Sequence, residues 1–381
     1  MNGRQIAVAA WDAFHRKGII QRRGIRTPQA YFLPDLEPTQ QDVQIAERLL
    51  AAYVYSPPHE DIWGSITSGL QGFAAVVDRA DPLELARYLC NVSRMDASRG
   101  IVQGDIEHQK LKLDPTYRRH VARMAADKLL LVAEAVGAVP VENPEQGPRR
   151  DTAKMTSGQI VDAISSVMSI DITPPEIDGG LFKIRTGVGD FGERDLNALY
   201  TAWLLRNYRS VCEIGGGSGR VAYWALRLGV RHYTIIDLPH ANMLQGFYLM
   251  KALGADSVSL HGEDGRAPIT LTPSSVHKSV GIDADAILNQ DSFPEIAADV
   301  VRGYLEWVKN LDVPLISINH ESQPPSGIGA PQIRVSDLVA EVGGFERTER
   351  HLYWLRSGYV LERFEPKSGS GHATHSDSPS H

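Results

Sequence analysis

Only two of the 381 residues are cysteines, Cys90 and Cys212, so the chain cannot carry a disulfide framework. Their separation does not match the spacing of zinc ligands, and both have apolar neighbours in the sequence. We therefore expect two reduced thiols in the core.

Long apolar runs are also missing, and none approaches the roughly 20 residues that a membrane-spanning helix needs. The N-terminal stretch MNGRQIAVAAWDAFHRKG is too polar for a secretory signal peptide. These two absences predict a cytoplasmic protein with no membrane partner.

An excess of basic residues is the third absence. Lys and Arg number 39 against 46 Asp and Glu, which gives a formal net charge of −7. Nonspecific nucleic-acid binding needs a basic face, so this balance argues against a nucleic-acid partner. What the chain does have is a hydrophobic fraction of 43%, typical of a folded protein, and a length sufficient for two domains.

The first part of the sequence, residues 1–180, reads as an all-helical N-terminal domain. Its best-marked helices follow Asp81-Pro82 and Asp114-Pro115, because Asp is a good N-cap and Pro suits the first helical turn. We expect this domain to serve acceptor binding or oligomerisation, and a homodimer is a possible assembly.

The predicted second domain covers residues 181–366, since Pro-Pro and Gly-Gly interrupt regular structure within residues 171–180. Residues 367–381 are polar and of low complexity, which predicts a disordered tail.

From Ser210 onward, short apolar runs alternate with helical segments. The runs are VCEIG, YTIID, SVSLH, ADAILN and VPLISIN, followed by RHLYWLR and GYVLERF. Such alternation specifies a parallel sheet with helices on both faces. The last two runs are too close together for a helical crossover, so they should pair as an antiparallel hairpin. We predict a Rossmann-like α/β sheet, mostly parallel, with an antiparallel terminal hairpin.

The first strand leads into a glycine-rich turn, EIGGGSGR. Gly215 and Gly217, with Gly216 between them, permit a tight turn and close approach of the backbone to a ligand. The helix that follows presents free N–H groups to the same pocket. Arg220 stands where the dinucleotide-binding fingerprint has its last glycine, which disfavours a nicotinamide cofactor.

Polar side chains end the strands that follow. Asp237, with Leu238 after it, closes the second strand, where a carboxylate can accept hydrogen bonds from ribose hydroxyls. Asn289 and Gln290 close the fourth strand. Open α/β sheets bind ligands at the carboxyl ends of their strands, so we expect these residues to line one crevice.

The pattern E-x-G-x-G-x-G, which starts at Glu213, resembles the first motif of class I S-adenosylmethionine-dependent methyltransferases. Together with IIDLPHANMLQGFYLMKALG and NQDSFPEI, it resembles the bacterial sugar O-methyltransferases over about residues 180–365. The departures are Ser218, where an aromatic is common, and Ile296, where methionine is expected. The resemblance implies S-adenosylmethionine as cofactor and a class I methyltransferase sheet. It also implies methyl transfer to a hydroxyl of a small-molecule sugar or glycosylated natural product.

The resemblance also implies roles for particular residues. Glu213 would contact the methionine amino group, directly or through water. Glu263 or Asp264, in the turn after SVSLH, would lie near the exocyclic amine of adenine. Arg185, in the segment that leads into strand 1, would pair with the methionine carboxylate or else remain a solvated side chain.

Two side chains at strand ends are candidates for the base that accepts the acceptor's proton. His320 is favoured because a neutral imidazole can take a proton near pH 7. Asp291 could instead orient that imidazole, bind a sugar hydroxyl or cap the following helix. Asp291, Glu295 and His320 have the chemistry to hold a divalent metal, but no spacing motif requires one and none is predicted.

Three other functions stay open. An O- or C-methyltransferase of an aromatic or polyketide acceptor is favoured if the N-terminal helices present an apolar cavity. A nicotinamide-dependent oxidoreductase is the second, and a catalytically silent cofactor-binding protein is the third.

Overall fold

The computed structural model describes residues 25–55, 62–141, 152–264, 266–279, 281–321 and 332–367. The predicted disordered tail, apart from Lys367, lies outside these residues.

The N-terminal segment contains seven α-helices within the described residues. They are α1 (Gln40–Ala52), α2 (Ile62–Ser68), α3 (Gln71–Arg79), α4 (Pro82–Cys90), α5 (Gly104–Leu113), α6 (Pro115–Ala135) and α7 (Ser157–Met168). Both predicted caps are confirmed: the Asp81 side chain accepts from the backbone N–H of Leu83, and the Asp114 side chain accepts from that of Thr116.

One element differs from the all-helical prediction. A short strand, β1 (Ala30–Phe32), pairs antiparallel with β2 (Phe182–Arg185), which in turn pairs with β3 (Asp190–Phe191). The pairing joins segments about 150 residues apart in the chain, so local periodicity could not reveal it. The N-terminal segment is therefore tied by backbone hydrogen bonds to the start of the predicted second domain.

The larger sheet has eight strands in the order β10-β11-β9-β8-β4-β5-β7-β6. The strands are β4 (Ser210–Ile214), β5 (His232–Asp237), β6 (Val258–Ser259), β7 (Ile269–Pro273), β8 (Ala286–Gln290), β9 (Leu315–His320), β10 (Phe345–Leu352) and β11 (Tyr359–Pro366). The helices are α8 (Glu193–Leu205), α9 (Arg220–Arg227), α10 (Pro239–Leu253), α11 (Ala298–Leu311) and α12 (Val335–Val342). Strands β4 to β9 pair in parallel, whereas β11 is antiparallel to both β9 and β10. This confirms the predicted Rossmann-like, mostly parallel sheet with its antiparallel terminal hairpin.

The third strand of the sheet is not the one that the sequence predicts. The run SVSLH contributes only the two-residue edge strand β6, and β7 lies between β6 and β5, with Leu271 opposite Ile235. The run ITLTP that forms β7 is short and ends in proline, so its pattern is weak. The loop that faces the central crevice is consequently the one after Pro273.

The buried core does not divide at residue 180. One continuous cluster of buried apolar side chains includes Leu85 and Leu129 from the N-terminal segment together with Tyr233 and Leu249 from the sheet domain. Both cysteines are free and buried, as predicted. Among the described helices, none combines the length and apolarity needed to cross a membrane.

A buried charge network links β2, α8 and α9. The Asp195 carboxylate accepts from Arg220 Nε at 2.8 Å and lies 3.4 Å from Lys183 Nζ. The other end of the Arg220 guanidinium binds Asp178. Burial would raise the pKa of Asp195, but Lys183 and Arg220 outweigh it and the pKa is lowered. Asp195 therefore stays ionised between two buried cations.

Replacing Asp195 by Asn should lower the free energy of unfolding by about 3–5 kcal/mol, because two buried cations lose a shared carboxylate. Because the pKa of Asp195 is depressed, its stabilising contribution is present above the usual aspartate range and is lost as the pH falls. Urea denaturation at neutral pH measures the loss. Asp337→Asn, at an exposed carboxylate on α12, is the matched control and should cost under about 0.5 kcal/mol. Equal losses in the two variants would contradict the role given to the network.

Candidate functional site

A cavity of about 400 Å³ opens at the carboxyl ends of β4, β5 and β8. This volume is within the usual range for small-molecule and cofactor sites. The N-terminal segment covers part of the cavity with Trp63, Gly100 and Ile101. The cavity wall therefore combines strand ends of the sheet with the helical half of the chain.

The glycine-rich turn forms one wall, and its conformation depends on Gly215. The φ angle of Gly215 is +78°, and a Cβ atom there would lie 2.2 Å from Ser292 Oγ. The Ser292 hydroxyl is itself bound by Asn289 Nδ2 at 2.5 Å. Asn289 is fully buried and also donates to the Ile214 carbonyl at 3.0 Å. Asn289 therefore joins the ends of β4 and β8 from behind and is not part of the cavity wall, unlike the prediction.

Glu213 lines the cavity at the end of β4, and its side chain is almost completely buried. Its Oε2 accepts a hydrogen bond from the Tyr233 hydroxyl at 2.9 Å, and no cation in the described part of the chain pairs with it. The pKa of Glu213 is raised to about 8, chiefly by burial; the Tyr233 hydrogen bond opposes the rise and the Asp237 charge contributes to it. A buried carboxylate with one neutral donor is a site that gains stability when a cationic ligand arrives.

Asp237 also lies in the cavity wall and holds the glycine-rich turn. Its Oδ2 accepts from the Gly217 N–H at 3.0 Å and from Gln245 Nε2 at 2.7 Å, and its Oδ1 accepts from the Leu238 N–H at 2.7 Å. Burial raises the pKa of Asp237 to about 6, although these donors oppose the shift. Asp237 and the glycine-rich turn are thus joined by a hydrogen bond that the sequence did not predict. Gln245 is a contributor that the sequence analysis missed.

Of the other predicted cofactor residues, the structure brings Gly216, Leu238 and Gln290 into the same wall. Thr201 on α8 donates to the Gln290 side chain at 2.9 Å, which fixes its orientation.

Three predicted cofactor contacts lie away from the cavity. Glu263 forms a salt bridge with Arg48 at 2.5 Å, because the turn that carries it follows the edge strand β6 instead of the third strand of the sheet. Asp264, in the same turn, is exposed. Arg185 is also exposed: its guanidinium stacks on the Tyr31 ring at 4.2 Å. Glu263, Asp264 and Arg185 therefore do not line the cavity in which we expected them to contact adenine and the methionine carboxylate.

The loop after β7 supplies the wall that the sequence analysis assigned to Glu263 and Asp264. It contributes Ser274, Ser275 and His277, and α11 contributes Tyr304 beside them. The His277 ring lies 4.5 Å from the Tyr304 ring, and its buried Nε2 has no hydrogen-bond partner among the described residues. Burial lowers the pKa of His277, so its imidazole is neutral at pH 7. Recognising the run ITLTP as a β-strand would have predicted that the loop after it lines the cavity.

The two candidate bases differ in their access to the cavity. Asp291 lies in the cavity wall with a left-handed φ of +59°, and its carboxylate accepts from Arg356 and from the Tyr359 hydroxyl. His320 does not line the cavity; its ring packs edge-on to Tyr359, with centroids 5.6 Å apart. Within the described chain, His320 makes no hydrogen bond to Asp291. The predicted arrangement, in which Asp291 orients the His320 imidazole, is therefore not formed.

Glu295 lies close to Asp291 without lining the cavity. Burial raises its pKa to about 7, the Asp291 charge adds to the rise, and Arg194, Arg356 and a hydrogen bond with Trp63 oppose it. Glu295 belongs to a short 3₁₀ turn, Phe293–Glu295, and the helix that follows begins at Ala298, so Asp291 does not cap that helix. Across the ranges that the structure describes, no group of three or more His, Cys, Asp or Glu is arranged to hold a metal ion.

A scan against protein-family models and a comparison with the curated proteins both found no match to the chain. Solved structures do match. Mitomycin 7-O-methyltransferase is 13% identical, with a TM-score of 0.39, over 96% of this chain and 100% of that one. Magnesium protoporphyrin IX methyltransferase from Synechocystis PCC 6803, solved with bound S-adenosylmethionine, is 14% identical with a TM-score of 0.34, over 46% and 82%. An O-methyltransferase from Bacillus cereus, in complex with S-adenosylhomocysteine, is 13% identical with a TM-score of 0.33, over 44% and 80%. At these identities and scores, the substrates of those enzymes say nothing about the ligands of this chain.

Gly215→Ala should destabilise the protein by clearly more than Gly262→Ala. Both glycines have left-handed backbones, but a Cβ at Gly262 meets nothing within 4 Å, whereas one at Gly215 overlaps Ser292 Oγ. The control should lose about 1–2 kcal/mol, and Gly215→Ala about 1–3 kcal/mol more. Chemical denaturation measures both losses. Equal losses would show that the turn can move away from Ser292 without cost.

Proposed function

We propose that the chain is an S-adenosylmethionine-dependent O-methyltransferase with a small-molecule acceptor. The observation that carries the proposal is Glu213, a buried carboxylate in the cavity wall that has no cationic partner among the residues that the structure describes. The methionine end of the cofactor carries an ammonium group, which is the kind of ligand such a carboxylate binds.

The donor set around the cavity fits the rest of this cofactor. Gly217 keeps the turn open, since a Cβ there would meet only Ile101, at 3.7 Å, so the backbone can approach a ligand closely. Asp237 would receive the ribose hydroxyls, and the neutral side chains of Ser275 and His277 would face the adenine. These assignments replace Glu263 and Asp264 at the adenine end.

When bound, S-adenosylmethionine supplies an already activated methyl group, so the protein mainly has to align the acceptor oxygen. Asp291 is the candidate base that lines the cavity, and we assign it the role of accepting or orienting the acceptor's hydroxyl proton. Asn197 and Gln290 add polar groups to the same region of the wall. This polar lining supports a sugar or glycoside as the acceptor.

An aromatic or polyketide acceptor is the second candidate. It is supported by Trp63 and Ile101, which give the N-terminal side of the cavity an apolar surface. A nicotinamide cofactor is disfavoured because Arg220 stands at the last glycine of the dinucleotide-binding fingerprint, and its buried guanidinium binds Asp178 and Asp195.

Cofactor affinity should depend on the protonation of Glu213. In the free protein its pKa is about 8, and an ammonium ligand favours the carboxylate. The affinity for S-adenosylhomocysteine should therefore rise by nearly tenfold per unit between about pH 6.5 and 7.5. Isothermal titration calorimetry measures this slope. Glu213→Gln should bind more weakly than the unmodified protein at pH 7.5, and its affinity should not show this dependence on pH.

Glu263→Gln provides the control for that experiment, because Glu263 pairs with Arg48 outside the cavity and its removal should leave the slope unchanged. A flat profile in the unmodified protein would contradict the assignment of the ammonium to Glu213. Absence of any S-adenosylhomocysteine binding would contradict the proposed function itself.

Asp291→Asn should lower methyl transfer from radiolabelled S-adenosylmethionine to a pool of glycosides by about 100-fold or more. Asn tolerates the left-handed backbone of position 291, so the fold and the affinity for S-adenosylhomocysteine should be kept. His320→Ala is the comparison and should retain most of the turnover. If His320→Ala lost activity as Asp291→Asn does, the base assignment would return to His320.

A further inference from the structure

The guanidinium of Arg194 in the cavity wall has no hydrogen-bonding partner in the described part of the chain. Arg194, at the start of α8, lines the cavity with a side chain that is 39% exposed, and it donates no hydrogen bond within the described ranges. Its closest carboxylate oxygen is Asp291 Oδ2, at 3.7 Å from Nη1. This distance is too long for a hydrogen bond, although the two charges attract each other.

Asp291 does not hydrogen-bond Arg194, and each of its carboxylate oxygens already accepts from another group. Oδ2 accepts from Arg356 Nη1, and Oδ1 accepts from the Tyr359 hydroxyl. Arg356 is held further by Tyr359, whose ring lies 4.0 Å from the guanidinium carbon. Arg356 therefore neutralises the charge of Asp291, and the positive charge of Arg194 is not neutralised by this carboxylate.

The other acids nearby do not balance Arg194 either. Glu193 is bound by Lys128 Nζ at 2.5 Å, which pairs those two charges with each other. Glu107 accepts from the Tyr117 hydroxyl at 3.1 Å, and burial raises its pKa. Glu295 does not line the cavity, and its raised pKa of about 7 leaves it partly protonated at neutral pH.

The location of Arg194 assigns it to the acceptor's end of the cavity. It approaches Asp291, which follows β8, whereas the cofactor's ammonium is assigned to Glu213 on β4. Arg356, from the connection between β10 and β11, lines the same region and uses only Nη1 in its described hydrogen bonds. Two guanidinium groups with free N–H donors thus flank the place where the acceptor hydroxyl must be presented.

We propose that the acceptor is an anion, and that its carboxylate or phosphate group binds Arg194 with help from Arg356. A guanidinium presents paired N–H donors that match the oxygens of either anion, which makes Arg the usual residue for such contacts. The acceptor class would be an acidic or phosphorylated sugar. This inference rests on the proposed methyltransferase function and specifies its substrate.

The test uses three sugars that differ at one carbon: glucose, glucuronate and glucose 6-phosphate. Each is titrated by calorimetry into the full chain saturated with S-adenosylhomocysteine. At least one of the two anions should bind about tenfold or more tightly than glucose, as expected for charge-assisted hydrogen bonds. Tighter binding of glucuronate would indicate a carboxylate on the acceptor, and tighter binding of glucose 6-phosphate would indicate a phosphate.

Arg194→Gln should abolish the preference for the anion while leaving the affinity for S-adenosylhomocysteine within about threefold. Arg185→Gln removes an arginine that lies outside the cavity and should change neither quantity. Raising the salt concentration should weaken anion binding in the unmodified protein and have little effect in Arg194→Gln.

Three outcomes would overturn the inference. Equal binding of the three sugars, or binding of none at millimolar concentration, would exclude an anion site of this kind. A large loss of S-adenosylhomocysteine affinity in Arg194→Gln would instead assign Arg194 to the cofactor's carboxylate. All three leave the methyltransferase proposal standing, since that proposal fails only if the unmodified protein does not bind S-adenosylhomocysteine.

Discussion

The buried carboxylate of Glu213 is the constraint on which the proposed site depends. Burying a carboxylate without a cation costs free energy, and among the described residues only the Tyr233 hydroxyl donates to it, so its pKa is raised to about 8. The surrounding structure keeps that side chain at the cavity wall. Asp237 holds the glycine-rich turn beside it, and Trp63 and Ile101 of the N-terminal segment line the same cavity. A cationic group of a ligand is what would relieve the cost.

The sheet and the cofactor half of the cavity were predictable because their signals are local. About 25 residues contain the strand that carries Glu213, a turn that needs glycine and a second strand that ends in Asp237. The prediction of strand order was wrong at β7, because its sequence shows only a weak strand pattern. The run that forms β7 looks like a loop, so the prediction chose the β6 run and placed Glu263 in the wrong turn.

The acceptor half was not predictable from the sequence, because its residues are far apart in the chain. Trp63 comes from the helical segment, Arg194 from the helix before the first strand of the large sheet, and Arg356 from the terminal hairpin. None of them belongs to a motif, and only the packing of the N-terminal segment on the sheet brings them to one wall. His320 ends β9 but lies outside the cavity, and its ring packs against Tyr359.

A crystal structure of the complex with S-adenosylhomocysteine tests the central claim most directly. The account predicts that the ligand's ammonium nitrogen lies within hydrogen-bonding distance of a Glu213 carboxylate oxygen, with the ribose hydroxyls at Asp237. A ligand bound with its ammonium group elsewhere in the cavity, and Glu213 still paired only with Tyr233, would contradict it.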